Sequence, residues 1–262
     1  MDCQTIINKF RINKDKRTGN VLYIVEGARK EFNLIINLFQ DILGFEYVAG
    51  ISREGKEYGE LTKPGQINSK IYIINTENSN VKSITDINGF IEKQIEEINK
   101  YDFDFRYEYI PIYYIFDCDR HQDEDDIHDL VKDLNNSREG TEFNKIGGML
   151  LLGYPSIESY VISHFENDIF DFYNRNNAST KLKQYTGDNQ YDFARMNITT
   201  LKSAFEEMIK SIMYLGVNDI DVDNFKDANV KIFEKEQEKN NKVLLSLLLV
   251  SLMDLGIIEI EQ

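Results

Sequence analysis

The sequence predicts an α/β domain, built on a mostly parallel sheet flanked by helices, followed by a helical C-terminal region. Three observations predict it. Apolar runs of strand length alternate with stretches of helical spacing through residues 20–166. Two of those runs end abruptly in acid, as Val25-Glu26-Gly27 and as Phe116-Asp117-Cys118-Asp119. Beyond residue 167 strand-like runs give way to helical periodicity. The reading divides the chain into a lead-in (1–19), an α/β unit (20–166) and a helical region (167–262).

Residues 1–19 are polar and basic-leaning and read as an irregular lead-in. Residues 21–25 are the first strand. After Gly27, residues 29–43 space Phe32, Ile35, Ile36, Phe39, Ile42 and Leu43 as one helix face, and Gly44 closes it. Residues 50–69 are charged, carry Pro64-Gly65 and read as a loop or hairpin tip. Residues 71–74 are a strand, 84–99 a helix and 109–116 the next strand. Residues 123–134 read as a helix whose opening acids suit its N-terminal dipole. Residues 147–152 are a strand, and Pro155 opens a short helix through Phe165. In the last third, 199–215, 224–238 and 241–255 read as helices, with 174–178 and 186–190 as loops.

With 262 residues and 42% hydrophobic content, the chain can bury a sizeable core. Its formal charge of -15 argues against unaided binding to a polyanion. The charge reads either as that of an acidic protein with no polyanionic partner, or as acid concentrated at a metal site, with positive charge from a local cluster or a partner protein. Two cysteines, Cys3 and Cys118, give neither a disulfide framework nor a zinc pattern. The start lacks a signal-peptide pattern and the apolar run 243–253 is too short to span a bilayer, so a cytoplasmic protein with no membrane partner is expected.

In an open parallel sheet, ligands sit outside the carboxyl ends of the strands. If the first and third strands are neighbours, Glu26, Asp117 and Asp119 share one rim. In extended chain, residues two apart point the same way, so Asp117 and Asp119 can share a hard cation while Cys118 faces away. Oxygen donors of this kind suit Mg²⁺ or Mn²⁺. The bland alternative for Glu26 is a helix cap or a pairing with Lys30. Ser156 and Glu158 follow the fourth strand and could reach the same rim, or could merely serve a helix N-terminus. His121 tempts by its place beside Asp119, whereas His164 reads as a packing residue. Tyr113, Tyr114, Tyr160 and Phe165 could stack bases, but aromatics in such elements are more often core. The basic run 9–17 reads as solvated, and 244–255 as a core helix or a homodimer interface.

These pieces, in this order, resemble a Toprim domain over the first two-thirds of the chain. Val25-Glu26-Gly27 resembles the family's glutamate motif, and Asp117-Cys118-Asp119 its Asp-x-Asp motif. Ser156-Ile157-Glu158 resembles the Ser-x-Glu element of OLD-type Toprim nucleases. The stretch from Gly153 to Phe165 is similar to that of RloB-like phage-defence proteins, and PARIS-like AriB effectors that work beside an ABC-type ATPase are equally compatible. The resemblance implies a Mg²⁺-dependent endonuclease acting on DNA or RNA, tRNA included, in antiviral defence by abortive infection. Asp117 and Asp119 would then be metal ligands, Glu26 a ligand or general acid/base, and Glu158 the residue that holds or positions a second metal. Where many relatives carry a second acid, four residues after the glutamate, this chain has Lys30, with the acid Glu31 beside it. A basic residue expected near the centre could be Arg29, Lys30 or Arg120. Two other readings stand beside the nuclease: a non-catalytic module of the same fold that binds a partner ATPase, and a sugar-nucleotide transferase using Asp-x-Asp. The last leaves Glu26-Gly27 and Ser-x-Glu unexplained.

Overall fold

The computed structural model describes residues 2–27, 30–53, 56–75, 110–118, 124–137, 148–176, 182, 191–221, 225–239 and 242–261. At its centre run four parallel strands: β2 (Asn20–Val25), β5 (Gln66–Asn75), β6 (Ile112–Asp117) and β8 (Gly148–Tyr154). Strands β2, β6 and β8 are buried along nearly their whole length, and β5 over its second half, as expected of strands covered on both faces. Two further strands, β3 (Glu46–Arg53) and β4 (Lys56–Lys63), extend the sheet antiparallel beside β5. At the other edge β7 (Asn135–Asn136) and β9 (Leu245–Ser246) both pair antiparallel with β8. Among the described residues the sheet has eight strands, in the order β3-β4-β5-β2-β6-β8-β7 with β9 off that path. The fold is thus mixed α/β with a mostly parallel central sheet flanked by helices.

The order of the parallel strands decides where a ligand could sit. From β2 the chain first goes to β5 on one side, then returns past β2 to β6 and β8 on the other. The direction of winding reverses between β2 and β6. Crevices open at such switch points, beyond the carboxyl ends of the strands. The register aligns Val25 with Ile115, so the residues that follow, Glu26 and then Asp117 one step on, leave the sheet side by side.

Helix α1 (Cys3–Asn8) precedes strand β1 (Phe10–Ile12), which pairs antiparallel with β10 (Ile258–Ile260). The expected irregular lead-in is therefore ordered structure, with Cys3 and Ile6 fully buried. Arg11 pairs with Glu259 at 2.6 Å, so the basic run is partly engaged rather than wholly solvated. Helix α2 (Lys30–Asn37) continues as a π-helical turn, Leu38–Ile42, to Gly44, whose φ of +75° suits a glycine at a helix end. The segment 50–69, expected as a loop or hairpin tip, lies in antiparallel hairpin structure, but its described residues are mostly strand, in the β3-β4-β5 ribbon. Its Pro64-Gly65 is the turn between β4 and β5, so the turn signal is real while the charged residues around it are strand. The expected helix 84–99 lies outside the described residues.

The helices α3 (Glu124–Asp133), α4 (Glu158–Ser163), α5 (Phe172–Asn176), α6 (Ile198–Tyr214), α7 (Phe225–Glu238) and α8 (Val250–Asp254) complete the described architecture. Helix α5 overlaps residues 174–178, read from sequence as a loop; 186–190 lie outside the described residues. Asn197 caps α6 with a reciprocal bond to Thr200, and α6 packs against α1 and α4. The stretch 241–255, expected as one helix, holds strand β9 and only the short α8. Its leucines are buried on all sides, a pattern that does not distinguish strand from helix. It is core, as one of the two expectations for it had it. Buried residues from both ends of the chain and from the central sheet form one continuous core.

One buried polar network ties this C-terminal segment to the sheet. Tyr113 and Ser137 each donate a hydroxyl proton to Asp254 at 2.5 Å, and Tyr23 donates to Ser251 at 2.9 Å. Replacing Asp254 with Ala strands two buried hydroxyls, each costing about 1–3 kcal/mol. Asp254→Ala is expected to lose about 3 kcal/mol in urea unfolding with an unchanged denaturant slope. A loss under about 1 kcal/mol would show that water replaces the carboxylate there.

Candidate functional site at the rim between β2 and β6

Glu26 leaves the end of β2 with its N–H donated to the Ile115 carbonyl at 3.2 Å. Its side chain turns toward β6, and Oε2 accepts the backbone N–H of Asp117 at 2.9 Å. Asp117 is the last residue of β6 and stands opposite Gly153 of β8. Its Oδ1 accepts the N–H of Ile157 at 2.7 Å. The two carboxylates are thus each fixed by a backbone amide from the neighbouring segment.

Gly153 makes the second of these bonds possible. A Cβ there would lie 2.7 Å from the Ser156 carbonyl carbon, 2.8 Å from the Ile157 nitrogen and 2.9 Å from the Ser156 oxygen. Only a residue without a side chain lets the Ser156–Ile157 peptide fold down over the strand end. Helix α4 then begins at Glu158 rather than at Pro155, and its N-cap, Ile157, makes no side-chain cap bond. Ser156 therefore does not cap it.

Glu158 is 1% exposed. Lys30, the first residue of α2, gives its ammonium to Glu158 Oε1. The other oxygen, Oε2, is buried with no hydrogen-bond partner. Burial pushes the Glu158 carboxyl up, but the hydrogen bond from Lys30, the nearby Ser156 hydroxyl and the lysine charge outweigh it and hold it below the ordinary carboxylate value. Glu31 lies over Gly27, where an added Cβ would meet Glu31 Oε2 at 2.2 Å.

Asp117 registers the whole assembly. Burial, then the charge of Glu26, and further the charges of Glu158 and Glu31, push its carboxyl up to about 8, against the downward pull of the Ile157 N–H. At neutral pH it keeps its proton unless positive charge arrives. The structure therefore brings Glu26, Glu31, Asp117, Glu158 and Lys30 to one rim, with Ser156 in the turn beneath. Asp119, Arg120 and His121 lie outside the described residues. His164 is buried beside Tyr160, its Nδ1 2.9 Å from Thr200 Oγ1, and burial pushes its imidazole down to about 3. It is a packing residue, and so are the buried Tyr113, Tyr114 and Tyr160.

Sequence reasoning did not single out Gly153 or the Ile157 amide. The available signal was a glycine at the end of a strand, which often marks close backbone approach. Among the described residues no group of three or more His, Cys, Asp or Glu side chains is set as a metal cage. The donor chemistry nonetheless suits a hard cation: the donors are carboxylate oxygens, and burial, then the charge of Glu26, raises the Asp117 carboxyl. No helix among the described residues is long and apolar enough to cross a membrane. No protein-family model, no curated protein and no solved structure matches this chain.

Proposed function

We propose that this chain is a Toprim-type, metal-dependent nuclease that hydrolyses phosphodiester bonds of DNA or RNA. The observation that carries the proposal is the convergence of Glu26 and Asp117 at the switch point of the sheet, where Glu26 Oε2 accepts the Asp117 N–H. In this reading Asp117, Asp119 and Glu26 hold Mg²⁺ or Mn²⁺, which when bound would supply Lewis acidity to phosphoryl oxygens and a water of lowered pKa. Glu26 holds a carboxylate at the rim that can also accept a proton. The Ile157 amide holds Asp117 Oδ1, and the turn at Gly153 keeps that amide in place.

The charge of -15 makes strong unaided binding to nucleic acid unfavourable, so a partner protein is part of the proposal. An ABC or OLD-type ATPase is the partner class the motif resemblance points to, with a cytoplasmic role in antiviral defence and a homodimer compatible with it. The test is incubation of the purified chain with Mg²⁺ or Mn²⁺ and plasmid, single-stranded DNA or total tRNA, with and without the products of neighbouring genes. Cleavage that disappears in Glu26→Gln and Asp119→Asn is the expected result. Undiminished cleavage by both folded variants would refute the assignment. One observation favours a second reading, a non-catalytic module of the same fold: Lys30 neutralises Glu158 from within the chain. Metal-independent binding of a partner, with no cleavage in its presence, would select it.

A further inference from the structure

His164 closes helix α4 and is 3% exposed. Its ring makes a T-shaped contact with Tyr160, centroids 4.6 Å apart, and lies beside Phe165. Nδ1 is 2.9 Å from Thr200 Oγ1, in the first turn of α6. That hydroxyl is already committed. It donates to the Asn197 carbonyl at 3.0 Å and accepts the Asn197 N–H at 2.9 Å, closing the cap of α6. A hydroxyl has one proton to give, so the bond between Nδ1 and Thr200 takes its proton from the imidazole. His164 is then the Nδ1–H tautomer, and Nε2 is a bare nitrogen, buried with no hydrogen-bond partner among the described residues. A proton added at Nε2 would find no acceptor there and would put a charge in the core.

We infer that His164 is an acid-sensitive latch between α4 and α6: the Nδ1–H tautomer holds the two helices together, and a proton taken from solvent by Nε2 releases them. Helix α4 packs on α6 and carries Glu158, and its N-cap residue, Ile157, holds Asp117, so the latch acts on the rim from the far end of the helix. It needs neither the metal nor the nuclease reading. The charged groups on the surrounding elements are engaged elsewhere. Glu158, at the other end of α4, carries Lys30, and Glu166 accepts the Tyr191 hydroxyl. Arg195 lies over the Phe165 ring, and Glu207 of α6 pairs with Lys210. None of these charges compensates an imidazolium: burial alone pushes the His164 imidazole down, from 6.5 to about 3. A histidine whose folded pKa is depressed contributes its full stability above 6.5 and loses it as pH falls toward about 3. The ratio of latched to released protein therefore drops about tenfold per pH unit inside that window, roughly thirtyfold between pH 7.5 and 5. Asp117 works in the opposite sense, since its raised carboxyl favours the folded state when protonated.

The experiment follows amide hydrogen exchange in the full-length chain at pH 7.5 and 5, corrected for the intrinsic rates, beside His164→Asn. Asparagine presents an N–H where Nδ1 stands and does not titrate. In the unsubstituted chain, protection of α4 and of the first turn of α6 is expected to fall roughly thirtyfold in acid, while β2 and β6 keep theirs. In His164→Asn that fall should be absent. Nitrogen-15 spectra of the unsubstituted chain, which has three histidines, read the tautomer directly. The His164 signal, identified by its contact with Tyr160, is expected as Nδ1–H, with no titration between pH 5 and 8. An Nε2–H tautomer or a titration near 6.5 would overturn the latch. Unchanged protection of α4 in acid, or an equal loss through the central sheet, would do the same. So would an acid loss that persists in folded His164→Asn. If that variant does not fold, the tautomer and the exchange pattern of the unsubstituted chain decide alone.

Discussion

Asp117→Asn is expected to abolish cleavage and, in metal-free buffer at pH 9, to melt at a higher temperature than the parent protein. The two effects have one cause. Burial and the charges of Glu26, Glu158 and Glu31 push the Asp117 carboxyl from its ordinary value up to about 8. A group whose folded pKa lies above its unfolded value favours the folded state while it is protonated. Its contribution is complete below the unfolded pKa and is lost as pH rises toward about 8. Above that pH the parent folds against an ionised, half-buried carboxylate, and Asn removes that opposition while its amide oxygen can still accept the Ile157 N–H. If the net relief is 1–2 kcal/mol, the melting temperature rises by roughly 3–8 °C. At pH 5 the difference should shrink toward zero. Mg²⁺ should raise the parent's melting temperature at pH 9 and leave Asp117→Asn nearly unmoved. Cleavage should fall by about a thousandfold, the scale of removing one preorganised electrostatic group. Parallel melting curves from pH 5 to 9 would show that Asp117 is not under the electrostatic pressure described.

Substitution at the rim would thus exchange activity for stability, as expected where function requires like charges to be held together. It also separates the roles of neighbouring acids. Glu158 already carries the Lys30 ammonium, so Glu158→Gln should leave the metal-free pH profile far less changed than Asp117→Asn.

The parts of this arrangement that could be read from sequence are those in which one local pattern has one structural meaning. The apolar run 21–25 and residues 112–116 of the run 109–116 are buried parallel strands because their neighbours cover both faces, and Glu26 and Asp117 at their ends fall on the rim. Of the ribbon β3-β4-β5, residues 71–74 of β5 and a hairpin tip near Pro64-Gly65 were legible, but the lengths of β3 and β4 were not. Its strands β3 and β4 carry charges and glycines, and Gly50 and Gly59 both lie under Tyr47, so no apolar alternation marks them. Nor was the split of 241–255 into strand and short helix legible, because a segment buried on every side has no period to read. The pairing of Lys30 with Glu158 depends on where the helix that carries Glu158 starts. Pro155 suggested one start, and the true start three residues later follows from the close approach at Gly153, which is a property of the folded backbone.

That close approach makes Gly153→Ala the substitution with the largest expected structural effect. Replacing glycine by alanine usually stabilises a compatible site by about 0.4–1 kcal/mol through the unfolded chain. Here the new methyl would sit under 3 Å from three backbone atoms of the Ser156–Ile157 peptide, and no side-chain rotation relieves that contact. Forcing such a site apart costs about 1–3 kcal/mol, and losing the Ile157–Asp117 bond adds about 1–2 kcal/mol, so destabilisation wins. A fall in melting temperature of roughly 5–12 °C is expected. With the Ile157 amide withdrawn, the one influence that lowers the Asp117 pKa is lost, and divalent-metal affinity and cleavage should fall with stability. Gly27→Ala provides the contrast within the same site. Its methyl would meet only the end of the Glu31 side chain, which can swing aside, so stability should stay within about 0.5 kcal/mol of the parent. If Gly153→Ala melted with the parent, or if Gly27→Ala were as damaging, the rim would not be held by the folded-down peptide after β8, and the geometry assigned to Asp117 would have to rest on something else.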